Sequence, residues 1–317
     1  MDWHETAIRL SKDGESYGDI ARTLSSMGFF GILPHKIIYD RVRRFLKSHY
    51  NTKNNICQQV SQNYSPNCFD ENVGKKKSIT FGLIGDTHLC SKYTQISSLA
   101  QFYIECKLRN VDTVYHCGDI DDGDQMRVGH VYELYKHGAD EHIDHITNIY
   151  PVVSGVTTKF ITGNHDASIY KHSGCDIGKR ISEIREDLVY LGRDCARINL
   201  TDNCTLELRH PWDGSAYSVS YKTQKLVDNM LAEDRPTILA VGHYHKAEYL
   251  PYRGVHTFQV GCFQGTTPFL QGHGIYSEVG GWVVTVWFNE DGSIHSLVPE
   301  FIPFKEVKND FVHYAQL

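Results

Sequence analysis

Five short blocks carry residues whose types and spacing could hold metal ions: Gly85-Asp86-Thr87-His88, Gly118-Asp119-Ile120-Asp121-Asp122, Gly163-Asn164-His165-Asp166, His210, and Gly242-His243-Tyr244-His245. Besides His88 they offer three imidazoles (His210, His243, His245), two carboxylates (Asp86, Asp119), one amide (Asn164) and a further His165-Asp166 pair. That is too many donors for one tetrahedral zinc and suits two divalent ions with positions left open for water and substrate. With nitrogen and oxygen donors and no thiolate, Mn2+, Fe, Zn2+ and Mg2+ are all chemically possible. The histidine count points the same way: 18 in a chain of 317 residues with 32 Lys plus Arg.

Such donors need elements that bring them to one place. Ile79 to Ile84 reads as a buried strand, followed by a helix near Gln95 to Leu108 and a strand at Thr113 to His116. Helical text near Gln125 to Lys136 and Glu141 to Tyr150 leads to a strand at Thr158 to Thr162. Strands at Thr205 to Leu208 and Thr237 to Val241 flank a helix near Tyr221 to Ala232. The pattern is α/β, and it sets the blocks at strand carboxyl ends, where open α/β sheets bind ligands. A glycine opens four of the blocks, where the strand must turn sharply and backbone must approach a ligand closely. Trp282 to Phe288, the turn Asn289 to Gly292, and Ser293 to His295 read as a hairpin, and the aromatic-rich tail from Trp282 to Phe304 as core and edge of a second sheet.

The ordered series D-x-H, G-D-x-x-D, G-N-H-D, a lone His and G-H-x-H, over roughly residues 78–300, resembles the calcineurin-like metallophosphoesterase family. The resemblance implies a four-layer β-sandwich of mixed sheets flanked by helices, with metals at the strand ends. It implies that Asp86, His88 and His245 hold one metal, that Asn164, His210 and His243 hold the other, and that Asp119 bridges them. Manganese is the expected metal, with iron, zinc or magnesium as alternatives. The implied reaction is in-line attack on phosphorus by a metal-bridging hydroxide, with His165 protonating the leaving oxygen and Asp166 orienting its ring. Asp122 takes a supporting or loop-ordering place, and Asp121 and Asp124 are expected in solvent. Gly123 follows the second block where the protein Ser/Thr phosphatase branch has Arg-Gly, which argues against that branch.

The remaining histidines invite plainer readings. His142 and His145 have a metal-like spacing and are expected on a solvated helix face; His116 is expected to be a strand residue. Tyr244 and Lys246 alternate with metal histidines and either line the rim or pack. Gly272 to Tyr276 lacks phosphate-loop spacing and reads as a turn. Nine cysteines, an odd number without a C-x-x-C, are expected to be reduced and mostly buried.

Charge divides the chain. Residues 1–77 hold 12 Lys plus Arg against 8 Asp plus Glu, a net of +4, so the −6 of the whole leaves −10 on residues 78–317. Residues 1–50 read as a small all-α domain, 51–77 as an Asn-, Gln- and Ser-rich linker ending in three lysines, and 78–317 as the catalytic domain. The third helix, after Pro34, buries Ile38, Val42 and Phe45 and turns a mostly basic face outward. With Gly14-x-Ser16-Tyr17-x-x-Ile20-Ala21-x-x-Leu24 before it, this segment resembles helix-turn-helix DNA-binding domains, although ten residues separate the two helices. The resemblance implies DNA contacts by Arg41, Arg43, Arg44 and Lys47; a helical cap or an oligomerisation element is the alternative. No apolar run of about 18 residues and no signal-peptide pattern is present, so no membrane contact and a cytoplasmic location are expected. The functional expectation is a phosphodiesterase or nuclease acting on nucleic acid. A phosphatase or nucleotidase on a small phosphate compound, and a DNA-binding regulator with an inactive hydrolase domain, are the alternatives.

Overall fold

The computed structural model describes residues 2–13, 15–30, 33–46, 66–71, 76–214 and 216–316. The chain divides into two compact units, Met1–Ser65 and Pro66–Leu317. In the first, α1 (Trp3–Lys12) is capped by the Asp2 carboxylate and α2 (Tyr17–Ser26) by the Ser16 hydroxyl, each accepting from a backbone N–H of the first turn. Residues 35–46 form α3. Ala7, Ile20, Ala21, Leu24, Ile38, Val42 and Leu46 make its core. Along α3 the buried residues recur every four positions, so Leu46 takes the place expected of Phe45, which is only partly buried. Arg41, Arg43 and Arg44 are exposed; Lys47 and most of residues 51–77 lie outside the described residues.

The second unit is two facing six-stranded sheets. In chain order the strands are β1 (Asn67–Asp70), β2 (Ser78–Ile84), β3 (Thr113–Cys117), β4 (Thr157–Thr162), β5 (Leu188–Arg193), β6 (Cys195–Thr201), β7 (Cys204–Arg209), β8 (Ile238–Val241), β9 (Ala247–Tyr252), β10 (Val255–Val260), β11 (Gly280–Phe288) and β12 (Ile294–Pro303). One sheet runs β12-β11-β2-β3-β4-β5 and the other β1-β6-β7-β8-β10-β9. The helices are α4 (Ile96–Leu108), α5 (Ala139–Ile149), α6 (Asp166–Ser173), α7 (Ile177–Ile184), α8 (Tyr221–Asp228) and α9 (Pro268–Gly272).

Side-chain alternation builds the layers. Phe81, Leu83, Tyr115, Cys117 and Ile161 face inward and meet Ile198, Leu206, Leu208, Ile238, Ala240 and Phe258 of the second sheet. Their neighbours Val114 and Phe160 face outward and pack with Phe102, Ile146 and Ile181 of the covering helices. On the far face of the second sheet, Leu239 and Val241 pack with Val227 of α8. The result is the expected sandwich of two mixed sheets between helices.

Two readings need correction. Residues 67–70, inside the presumed linker, pair in parallel with β6 in the register Asn67↔Ala196 to Asp70↔Asn199. A four-residue edge strand with mostly exposed side chains has no apolar alternation to announce it. The stretch 125–136 holds only a single helical turn, His130–Glu133. Left-handed backbone at Gln125 and Gly129 breaks the helix, and Val128, Val131 and Tyr132 are exposed. Among the described residues, no helix is long and apolar enough to cross a membrane.

Candidate metal centre and active site

The register of the strands gathers the donors. In the first sheet Ile84 pairs with His116 and His116 with Phe160, so β2, β3 and β4 end side by side. In the second, Arg209 of β7 pairs with Val241 of β8. All five blocks follow these ends, and the structure brings together the seven donor residues named from sequence. Asp86, His88 and His245 form one buried group, with Nε2 of His88 and His245 at 3.8 and 3.5 Å from Asp86 Oδ1. Asp119, His210 and His243 form a second. His210 Nε2 lies 3.1 Å from Asp119 Oδ2 and 3.0 Å from Asn164 Oδ1. Asp119 reaches toward both groups, its Oδ2 also lying 4.0 Å from His88 Nε2.

The outer hydrogen bonds show what these nitrogens are set up to bind. His88 Nδ1 donates to the Asp122 carboxylate at 2.8 Å, His210 Nδ1 to the Cys117 carbonyl at 2.7 Å, and His243 Nε2 to the Asp213 carbonyl at 2.6 Å. Each ring thereby keeps its other nitrogen for the interior. His88 and His245 then face each other, Nε2 to Nε2, at 3.1 Å. His210 points its remaining nitrogen at a carboxylate that has no proton to give. A divalent cation placed among these atoms would satisfy them together, since mixed imidazole and carboxylate donors fit divalent metals. The carboxylates are ready for it: burial opposes their charge, but neighbouring imidazoles hold Asp86 well below the ordinary carboxylate range and Asp119 below it too.

Backbone conformation at the strand ends is equally specific. Asp86, His88, Asp119, His243 and His245 all have left-handed φ, from 44 to 77°. Such strain collects where surrounding structure enforces it at a functional site. At Gly163, a Cβ would lie 2.4 Å from Asp119 Oδ1 and 2.6 Å from the His210 ring.

His165 lies on the wall of the same cleft, its side chain 18 % exposed. Its Nδ1 donates to the Asp122 carbonyl at 2.6 Å, which leaves Nε2 for the cleft. Burial opposes a charge on this ring, but the Asp119 carboxylate raises it above the ordinary histidine value. The expected partner, Asp166, does not orient it. Its carboxylate instead accepts from the backbone N–H groups of Gly163 (2.8 Å), Asp121 (2.9 Å) and Ile120 (3.3 Å), lacing two blocks together. Burial and the nearby Asp119 charge push Asp166 up to about 8. Adjacency in G-N-H-D implied a His–Asp pair; α6 starts at Asp166 and turns its carboxylate to the loop backbone instead.

Asp122 is the hub of the supporting contacts. Besides His88, its carboxylate accepts from Gln264 Nε2 at 3.0 Å and His130 Nε2 at 3.3 Å. His130 and Gln264 belong to no motif, so no sequence signal marked them. Asp121 is also a correction: it is fully buried and accepts from His142 Nδ1 at 2.8 Å, while His142 Nε2 donates to the Lys136 carbonyl. Both ring nitrogens are thereby used, so His142 has none left for a metal. His142 and His145 are buried on α5, on the inner side of the helix. His116 is a strand residue as expected; burial pushes it down to about 3 and holds it neutral.

A cleft of about 490 Å³ opens over the two groups. His88, Asp119 and His165 line it, with Trp212, Asp213, Tyr244, Phe269 and Arg127 around them.

A sandwich of mixed sheets with two imidazole–carboxylate clusters at its strand ends defines a metal-dependent hydrolase of phosphate esters. The family model for the calcineurin-like phosphoesterase superfamily domain matches residues 79–276, and the chain belongs to that superfamily. Among solved structures it is similar to an archaeal phosphodiesterase (13 % identity, TM-score 0.39, 71 % of this chain and 100 % of that one). It is also similar to a hypothetical protein of Pyrococcus horikoshii (12 %, 0.43, 75 % and 92 %). A third is the zinc complex of Vps29 from Entamoeba histolytica (15 %, 0.33, 72 % and 100 %). No curated protein sequence matches the chain.

Proposed function

We propose that this phosphoesterase is a phosphodiesterase acting on nucleic acid. The observation that carries the diester is the charge of the cleft. Among the described residues that line it, Arg127 is the one Lys or Arg, and it is paired with Glu133 at 2.5 Å. A monoester dianion brings a second negative charge for which the cleft offers no unpaired arginine or lysine among its described lining residues, whereas a diester carries a single charge. The nucleic-acid part draws on the exposed arginines of α3, and the five buried thiols among the described residues suit a reducing, cytoplasmic setting.

In this reading Asp86, His88 and His245 hold one divalent ion, Asn164, His210 and His243 hold the other, and Asp119 bridges. Manganese is the first expectation for both. When bound, the ions supply acidity to a water and positive charge to the phosphoryl oxygens. His165 gives its Nε2 proton to the leaving oxygen. Asp122 holds His88 in the binding tautomer and, through its carbonyl, sets the His165 ring; Asp166 keeps the two loops in register. The test offers the protein, reconstituted with Mn2+, Fe2+, Zn2+ or Mg2+, single-stranded DNA, duplex DNA, cyclic dinucleotides and nucleoside monophosphates. Diester cleavage is expected. Turnover of monophosphates alone would replace this reading with a nucleotidase.

A further inference from the structure

We propose that the cleft receives an unpaired nucleobase beside the scissile phosphodiester, and that the indole of Trp212 is the surface on which it stacks. This rests on the phosphodiesterase reading and specifies its substrate. Trp212 is 48 % exposed, a large area for an indole to leave in water, yet its ring is held. Nε1 donates to Asp194 Oδ1 at 2.9 Å, and the Lys171 ammonium lies 5.0 Å from the ring centroid. Lys171 is outside the cleft lining, so the ring is gripped from beyond the cleft while it lines the cleft itself. An indole anchored at both edge and face but not covered is prepared for a planar ligand.

Its place relative to the chemistry is also set. Trp212 follows the donor His210 by two residues, and the next residue, Asp213, accepts from His243 through its carbonyl and from the Tyr244 hydroxyl (2.7 Å) through its carboxylate. The loop carrying the indole is therefore tied to two metal donors. Beyond it, Gly214 also lines the cleft, with nothing described within 4 Å of where a Cβ would sit. Elsewhere in the cleft Phe269, 43 % exposed, carries the Arg127 guanidinium 4.3 Å from its centroid, so this guanidinium is itself part of a flat π surface.

The balance of charge and aromatic surface selects the substrate. A protein that tracks duplex DNA needs a basic groove, and residues 78–317 carry a net −10. A base stacked on an aromatic side chain binds without that charge and without sequence preference. Bases inside a duplex have both faces covered by neighbours, so the platform admits single strands, frayed ends or flipped bases.

The experiment uses the full chain, metal-reconstituted, with thymidylyl-thymidine and with two analogues in which one base or the other is replaced by hydrogen. Removal of one particular base is expected to raise KM and lower kcat/KM about tenfold or more, in line with base–aromatic stacking. Trp212→Leu keeps apolar bulk and is expected to lose that discrimination; Trp212→Phe keeps a π face and is expected to retain it. Metal content and thermal unfolding midpoints verify that the variants fold. Equal kcat/KM for wild type on all three compounds, or undiminished discrimination in Trp212→Leu, overturns the inference and leaves the phosphodiesterase reading standing. Absence of cleavage of thymidylyl-thymidine with every metal overturns the nucleic-acid reading and the inference together.

Discussion

His165 and Asp166 are neighbours in one motif and do unrelated work, which sets the limit of reading single residues. The seven residues expected from sequence to be donors come together in the structure, because they follow strand ends that lie side by side. The sequence paired His165 with the wrong partner, because the start of α6 turns the Asp166 carboxylate to three backbone N–H groups. His165→Asn is accordingly expected to lower kcat by ~10²–10⁴ while metal content stays at wild-type level. Metal analysis beside steady-state kinetics checks this, and an unchanged kcat removes His165 from the reaction. The buried pair of His142 and Asp121 gives a second test. Burial disfavours the imidazolium, but the Asp121 carboxylate prevails and pushes His142 up to about 9, above the 6.5 of an ordinary histidine. A raised folded value means that the charged pair stabilises fully below about pH 6.5 and that this contribution is lost as pH rises through about 9. The loss is on the order of 3 kcal/mol at ~1.4 kcal/mol per tenfold change. Denaturant titrations of chelator-treated protein between pH 6 and 10 should show a steeper fall for wild type than for His142→Gln. Parallel curves would mean that the pair contributes no pH dependence.

At the scale of elements, the strands that carry the site were the legible ones. β2, β3, β4, β7 and β8 are central, covered on both faces and apolar enough to stand out as short buried runs. The edge strands β1 and β9 are mostly exposed or half-buried, and the 125–136 segment takes its shape from left-handed turns that no periodicity encodes. The glycines before the donors were expected to let backbone approach a ligand. At Gly163 the structure shows the cause to be crowding by the donors themselves, since a Cβ would overlap Asp119 and His210. Gly163→Ala should therefore displace both, weaken metal uptake about 10–100-fold and lower activity by on the order of 10². Gly272→Ala, where nothing lies within 4 Å of the added carbon, is the control. Calorimetric Mn2+ titration of both variants decides the point; wild-type affinity in Gly163→Ala would show that the loop yields without moving its ligands.

For the whole molecule, the −6 net charge hides a division that residue-level and element-level readings do not explain. The catalytic unit is acidic and proposed to take its substrate by metal and stacking contacts, so long-range attraction to a polyanion falls to residues 1–65, with 9 Lys plus Arg against 6 Asp plus Glu, a net of +3. Within the described residues, α3 packs Ile38, Val42 and Leu46 inward and leaves Arg41, Arg43 and Arg44 exposed. The helix-turn-helix likeness read from its sequence stays a proposal, and a salt titration is its sharpest test. Each phosphate neutralised contributes a slope of about −0.9 to log K against log salt on duplex DNA. If the three arginines contact phosphates, replacing all three by alanine should flatten the slope of full-length protein by about 2 to 3 and weaken binding at low salt by at least tenfold. Hydrolysis of a small diester should be unaffected, because the three arginines belong to the helical unit and the residues of the metal centre to the other. Fluorescence anisotropy with a labelled duplex at four or more salt concentrations measures the slope. An unchanged slope would assign the basic face to something other than DNA, and the helical unit would then read as a cap or an oligomerisation element.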